Sequence, residues 1–377
     1  MRFFNGCFIF LFVLLLALPL VFVDLSSNRI SVTENRTLAN RPSFSGIKNS
    51  PGIFIRQFED WFKDSIGFRE KLLAIYKAVN ENKWLNNVVM YKDGQYIFLF
   101  GEKGHRYYAG VGNYMIAKFQ GKKSLSDEQL IWMIIKLEEV KTYLENKGIP
   151  LVVMLCPDKE SVYPEYYPKS IKRGPEPIQL DIITNYLQKY TSVDILNIKQ
   201  ALLTEKDTYL LYNVSLGDLT HYNQIGAFFA YRELMKHINI HFPQIIPYEP
   251  DGIEISYDEF GIPNVSLISG FTYQKLDSSF FDNFIVNKEF TWANNAYENN
   301  SSNLPVILFL CDSYANEDLI GKYFAQQFAK AIFIHYASIR CIEEYITCYK
   351  PDIVVIESAE RELNGFAYNV RWIPELP

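Results

Sequence analysis

The chain has 377 residues, 49% of them hydrophobic and 21% charged, which is enough apolar material for one large core and too much for a disordered chain. A formal net charge of −6 argues against a nucleic-acid partner, which would leave a basic footprint, and mildly against a strongly anionic polymer. The 26 Tyr and 28 Phe read chiefly as core and sheet residues, although aromatic faces also bind sugar rings.

Residues 1–25 open with Arg2 and then run apolar from Phe3 to Val23, the roughly 20 residues that a membrane-spanning helix needs. A cleaved signal peptide has a shorter apolar region ending at small residues, whereas this run ends Leu20-Val21-Phe22-Val23-Asp24. The reading is therefore a signal anchor, with a signal peptide as the alternative. Arg2 points to an N-terminus inside and a body on the extracytoplasmic side, in the periplasm or outside the cell.

Residues 26–84 form a stalk and amphipathic helices. Pro42, Gly46 and Pro51 mark an extended arm. Phe54, Phe58, Trp61 and Phe62, then Leu72, Leu73, Ile75 and Tyr76, recur at helical spacing with a break near Gly67. The remaining domain spans residues 85–377. Its first feature is a hairpin over Asn87–Phe100, turning at Asp93-Gly94. A helix over Asp127–Asn146 follows, capped by Ser126 or Asp127 and closed before Gly148.

From there strands and helices alternate. Strands are expected at Leu151–Cys156, Val193–Ile198, Val306–Leu310, Ala331–Ile334 and Asp352–Glu357. Helices are expected at Leu180–Tyr190, Tyr222–Ile238, Leu319–Ala331 and Ile339–Tyr349. Continuous apolar strands separated by helices predict an α/β fold, a parallel sheet flanked by helices on both faces. Ligands of such sheets bind at the carboxyl ends of the strands, here near Pro157, Ser313 and Glu357. Residues 242–304 break the alternation and read as an insertion of loops and short strands, one wall of a cleft.

Two steps carry chemistry. Asp218-Leu219-Thr220-His221 opens a helix, and Cys311-Asp312-Ser313-Tyr314 follows a buried strand. Ser313 can act as a nucleophile if a base adjoins it, His221 is the natural base, and Asp218 can fix the imidazole tautomer. The helix expected after Ser313 would aim donors and a dipole at developing negative charge. Each step alone also reads as ordinary helix capping.

The other candidates are weaker. His237 and His241 stand four apart but lack a Glu or Cys partner in a metal pattern, so no metal is expected. The five cysteines, Cys7, Cys156, Cys311, Cys341 and Cys348, show neither zinc nor disulfide spacing, although Cys341 and Cys348 can pair under oxidising conditions. No Gly-rich phosphate loop is present, and no cofactor is expected. Asp158-Lys159-Glu160 reads equally as a surface loop or a cleft edge.

Several stretches together resemble the SGNH-hydrolase-like polysaccharide O-acetyltransferases of the alginate O-acetylation type. They are Glu34-Asn35-Arg36-Thr37-Leu38-Ala39 with Arg41-Pro42, Phe58-Glu59-Asp60-Trp61-Phe62-Lys63-Asp64 with Phe68-Arg69, and Asp93-Gly94-Gln95-Tyr96-Ile97-Phe98. Then come Pro157-Asp158-Lys159 with Val162-Tyr163-Pro164-Glu165, Thr220-His221-Tyr222-Asn223 with Gly226-Ala227, and Asp312-Ser313-Tyr314. The last is Pro351-Asp352-Ile353-Val354-Val355-Ile356-Glu357 with Glu360-Arg361. The likeness covers most of residues 34–365, in the family's order.

The resemblance implies an SGNH-hydrolase-like sheet, a triad of Ser313, His221 and Asp218, and acetyl transfer to hydroxyls of an extracellular or cell-wall polysaccharide through an acyl-serine. It implies that a multispan membrane acyltransferase partner supplies the acetyl group. Tyr222, Tyr314 and Arg361 are candidate substrate-binding residues. The chain departs from the family at Leu219, where the family's Asp stands, at Cys311 in place of Gly, and at Tyr222 in place of Trp. A carbohydrate acetylesterase and a non-catalytic glycan-binding or assembly protein on the same fold are the alternatives.

Overall fold

The computed structural model describes residues 17–27, 29–31, 36–44, 51–69, 71, 90–93, 96–110, 113–269, 272–281, 294–299, 303–315 and 317–376. The apolar run from Phe3 lies mostly outside them, as do Leu72–Tyr76 and the Gly94-Gln95 turn. Among the described residues no helix is long and apolar enough to cross a membrane.

The chain divides into two units, Met1–Asn87 and Val88–Pro377. In the first, β1 (Ile30–Ser31) pairs antiparallel with β2 (Arg36–Thr37), and α1 spans Pro51–Ser65. Asp64 near the end of α1 organises this unit. Its Oδ2 accepts the Ala39 N–H at 2.8 Å, Arg69 Nη2 lies 3.5 Å from its Oδ1, and its backbone carbonyl accepts from Arg29 Nη1 at 3.1 Å. Phe58, Trp61 and Phe62 line up along α1, with Trp61 buried while Ile53 and Ile55 stay exposed.

In the second unit, β3 (Met90–Asp93) and β4 (Tyr96–Phe100) form the hairpin seen in the sequence, and a third strand, β5 (Arg106–Tyr108), extends it. Helix α2 (Asp127–Glu145) begins with a reciprocal cap: the Gln129 N–H donates to Ser126 Oγ, and the Ser126 N–H donates to Gln129 Oε1. The main elements that follow are β6 (Leu151–Cys156), α3 (Gln179–Tyr190), β7 (Asp194–Asn197), α4 (Lys199–Glu205) and α5 (Gln224–His241). Then come β8 (Ile253–Tyr257), β9 (Pro263–Leu267), β10 (Tyr273–Lys275), β11 (Asn295–Asn299) and β12 (Val306–Cys311). The chain closes with α6 (Lys322–Gln327), β13 (Lys330–His335), α7 (Ile342–Tyr349), β14 (Ile353–Ala359) and α8 (Leu363–Arg371).

The central sheet runs in the order β10-β11-β13-β12-β14-β6-β7. The strands from β13 to β7 are parallel, as their continuous apolar runs predict, and β11 and β10 add antiparallel at one edge. Part of the supposed insertion at 242–304 therefore extends the sheet, while β8 and β9 make a separate hairpin. Alternate residues face opposite ways. Val152, Met154, Ile307, Phe309 and Val355 pack beneath α5 and α6. Val153, Leu155, Leu308, Leu310, Val354 and Ile356 pack against α2, α3, α7 and α8. Phe309 stacks on its register partner Phe333, with ring centroids 4.7 Å apart.

Helix α5 approaches the preceding segment closely. A Cβ at Gly226 would stand 2.5 Å from the Leu211 carbonyl oxygen, so only glycine lets the helix start there. Asn223 fixes that start, accepting the N–H groups of Ile225 and Gly226 at 3.0 and 3.1 Å. The carboxyl ends of β6, β12 and β14 are neighbours, and the helix start beside them carries His221.

Candidate active site

Ser313 directly follows Asp312 past β12 and is exposed. Its Oγ lies 2.7 Å from His221 Nε2, and His221 Nδ1 lies 2.6 Å from Asp218 Oδ2. A carboxylate facing Nδ1 places the ring proton there and leaves Nε2 to accept the serine proton. The three residues singled out in the sequence thus come together as one hydrogen-bonded chain.

Asp218 does two jobs. Its Oδ2 serves the imidazole. Its Oδ1 accepts from the Thr220 N–H at 2.8 Å, the Thr220 hydroxyl at 2.7 Å and the His221 N–H at 3.3 Å. The capping turn and the histidine contact therefore coexist. Partial burial would raise this carboxyl, but the His221 and Thr220 hydrogen bonds outweigh it and hold it well below the usual carboxylate range. The three-residue spacing suits this turn: one oxygen closes the loop while the other stays free for the ring.

Asp312 staples the end of β12, just before Ser313, to β14. Its Oδ1 accepts the Tyr314 N–H at 2.9 Å, its Oδ2 accepts the Ala359 N–H at 2.7 Å, and its own N–H donates to Glu357 Oε2 at 3.1 Å. The chain then makes a 3-10 turn over Ser313–Ala315, and the regular helix α6 starts only at Lys322. The helix N-terminus expected directly after Ser313 is therefore not there. Asp312 has taken the Tyr314 N–H that such a helix would have aimed outward.

The three candidate substrate-binding residues sit behind Ser313. Tyr222 and Tyr314 are fully buried and Arg361 is 7% exposed. The Tyr222 hydroxyl donates to the Tyr314 carbonyl at 2.7 Å, and the two rings meet edge to face at 4.8 Å. Tyr314 also packs edge to face on the His221 ring at 4.9 Å. These side chains pack behind Ser313, with Arg361 only slightly exposed.

Asp158-Lys159-Glu160 is neither a surface loop nor a cleft edge. All three side chains are buried, at 2, 4 and 7% exposure. Lys159 Nζ donates to the carbonyls of Arg106 and Asn213 at 2.8 and 2.5 Å, tying β5 to the loop that leads to Asp218. Burial pulls its ammonium down to about 7. The signal available in the sequence was the position of the triplet, directly past Pro157 at the carboxyl end of β6.

The two histidines at helical spacing do other work. His237 Nδ1 pairs with Asp194, 2.8 Å from Oδ2, which raises its basicity, and His241 closes α5. Cys156, Cys311, Cys341 and Cys348 are all free thiols.

The fold has known counterparts. Residues 120–251 match the AlgX family model. That model is described as an SGNH hydrolase-like domain of the acetyltransferase AlgX, and its matched stretch includes Asp158, Asp218 and His221. Among solved structures, Bacillus cereus PatB1 with a sulfonyl adduct superposes with a TM-score of 0.53 at 14% identity, over 75% of this chain and 99% of that one. A DHHW family protein from Eubacterium siraeum is similar at TM-score 0.49 and 12% identity, over 75% and 97%. The O-acetyltransferase domain of Pseudomonas putida AlgJ follows at TM-score 0.41 and 13% identity, over 73% and 98%. No curated protein sequence matches. The PatB1 superposition and the family match agree on an SGNH-like α/β fold with a mostly parallel sheet.

Proposed function

We propose that this chain is an exported, membrane-anchored O-acetyltransferase that moves acetyl groups onto polysaccharide hydroxyls through an acetyl-Ser313 intermediate. The observation that carries the reading is the unbroken run from Ser313 Oγ through the His221 ring to Asp218, at 2.7 and 2.6 Å. The AlgX-type match over residues 120–251 supports the choice of acyl group.

The chemistry balances within these residues. Ser313 Oγ attacks the acetyl carbonyl while its proton passes to His221 Nε2, and Asp218 stabilises the imidazolium. Collapse breaks the bond to the donor, and the departing group takes the proton from His221. An acceptor hydroxyl then gives its proton to Nε2 and attacks the acetyl-serine, forming the new ester and returning the proton to Ser313. In this reading the donor comes from a multispan membrane partner, and the apolar run from Phe3 to Val23 holds the body on the extracytoplasmic side.

The full chain, incubated with a nitrophenyl acetate and an oligosaccharide, tests the proposal. The wild type should acetylate Ser313 and pass the acetyl group on, while Ser313→Ala should do neither and remain folded. Wild-type protein that forms no acyl-serine with any activated acetyl ester would overturn it. The exposure of Ser313 favours a second reading, an acetylesterase with water as acceptor. Release of free acetate with no transfer to a saturating oligosaccharide would select that reading.

A further inference from the structure

A buried cluster lies behind Ser313 and uses groups that the acetyl-transfer steps leave idle. The Arg361 guanidinium, just past β14, forms a buried ion pair with Asp158, past β6, at 2.8 Å between Nη1 and Oδ1. The same Nη1 also donates to the Thr220 carbonyl oxygen. The Tyr314 hydroxyl stands 3.1 Å from Asp158 Oδ1 and 3.2 Å from the Thr220 carbonyl. Arg361 Cζ sits 4.9 Å from the Tyr314 ring centroid. Four points converge: the ends of two strands, the residue after the nucleophile, and the peptide immediately before His221.

The peptide that Arg361 grips links Thr220, which hydrogen-bonds Asp218, to His221. Thr220 donates its N–H and hydroxyl to Asp218, and His221 follows it. Tyr314 follows Ser313, and its ring abuts the imidazole. The cluster therefore holds the base and the nucleophile to one rigid point. Lys118 Nζ in turn donates to the Arg361 carbonyl at 2.7 Å, and the Asp158 N–H donates to Glu360 Oε2 at 3.1 Å, which locks the clamp's own backbone.

We infer that Arg361 and Asp158 are positioning residues that clamp the Thr220 carbonyl and so set the His221–Ser313 distance and the Asp218–His221 hydrogen bond. The inference rests on the reading of Ser313 as nucleophile for its kinetic arm alone. A planar guanidinium can hold a carboxylate and a carbonyl in a fixed geometry, which an ammonium does not reproduce. A misplacement of about 1 Å in such a relay costs on the order of 10²-fold in rate.

The test compares wild type with Arg361→Lys, Asp158→Asn and Tyr314→Phe in the full chain, so that it does not depend on one variant folding. Two quantities are read: turnover of an activated acetyl ester per titrated Ser313, and the low-field proton resonance of His221 Nδ1, with Asp218→Asn as the control that abolishes it. The clamp predicts kcat per titrated site down about 10- to 100-fold with KM within twofold. It also predicts a shifted or lost resonance in Arg361→Lys and Asp158→Asn. Tyr314→Phe, which keeps the ion pair, should show a smaller loss of the same kind. A merely structural role predicts fewer titratable sites with unchanged turnover at each, and that result overturns the inference. So does an unshifted resonance in both charged-pair variants. An inert wild type would sink the acetyl-serine reading, while the resonance still decides the clamp.

Discussion

Replacing Asp218 by Asn is the sharpest single test of the relay. The carboxylate has four hydrogen-bond contacts within reach, and three of them use Oδ1: the Thr220 N–H, the Thr220 hydroxyl and the His221 N–H. An Asn side chain keeps those three with its carbonyl oxygen, so the turn survives and stability should change by less than about 1 kcal/mol. The altered contact is the 2.6 Å one at Oδ2, where an NH₂ group would face His221 Nδ1. That donor forces Nδ1 to accept, the ring proton moves to Nε2, and the base that Ser313 needs is gone. The same change in a trypsin-type triad costs about 10⁴ in kcat. Asp218 is half exposed here, so water competes for the ring, and the expected loss is about 10²–10⁴-fold, or roughly 3–5 kcal/mol of barrier. Ester turnover and thermal melting of the full chain measure both halves. Asp218→Asn with more than half of wild-type kcat and an unchanged melting temperature would show that another group orients His221.

Three further outcomes follow from the packing and the titration of buried groups. His105 is 6% exposed and stacked 4.4 Å from Tyr166, and burial holds its pKa at about 4. The unfolded chain therefore binds the extra proton between about pH 6.5 and 4, and about 3 kcal/mol of stability should drain away as pH falls through that window. His105→Gln should flatten that loss in melts from pH 7 to 4, and an equal loss in both proteins would refute the assignment. Glu357 is completely buried beside Cys156 and Asp312, and burial pushes its carboxyl well up. Its native form keeps the proton longer than the unfolded one, so it costs stability as pH rises above about 4.5, and Glu357→Gln should melt no lower than wild type at pH 8. Gly226→Ala should destabilise by about 1–3 kcal/mol, because its methyl group meets the Leu211 carbonyl. An unchanged denaturant midpoint would mean that α5 shifts freely.

The parallel sheet was legible because its strands are buried on both faces and so read as unbroken apolar runs, Leu151–Cys156 and Val306–Leu310 above all. The relay was legible because Asp218, His221 and Ser313 stand at element ends, where only capping competes. Two kinds of feature were hidden. The helix read over Leu319–Ala331 is present as a π turn over Glu317–Gly321 and regular helix from Lys322, but its separation from Ser313, where Asp312 takes the Tyr314 N–H, was not legible. Strands β10 and β11 lie in a polar, turn-rich stretch that reads only as loops and short strands, because neither shows a continuous apolar run, and β10 is the sheet edge.

The buried charges explain why Asp158 and Arg361 also escaped a reading from spacing. A charged triplet such as Asp158-Lys159-Glu160 ordinarily signals solvent, since burying an unpaired ion costs several kcal/mol. Here Asp158 is paired with Arg361, some two hundred residues away, and Lys159 spends its protons on backbone carbonyls. Arg361 meets Asp158 only once β6 and β14 lie side by side, and the carbonyls that hold Lys159 come from β5 and the loop before Asp218. Among the described residues, Asp158 Oδ2 has no hydrogen-bond partner. In the clamp inferred above, the ion pair holds the Thr220–His221 peptide, the last of the three that join Asp218 to His221.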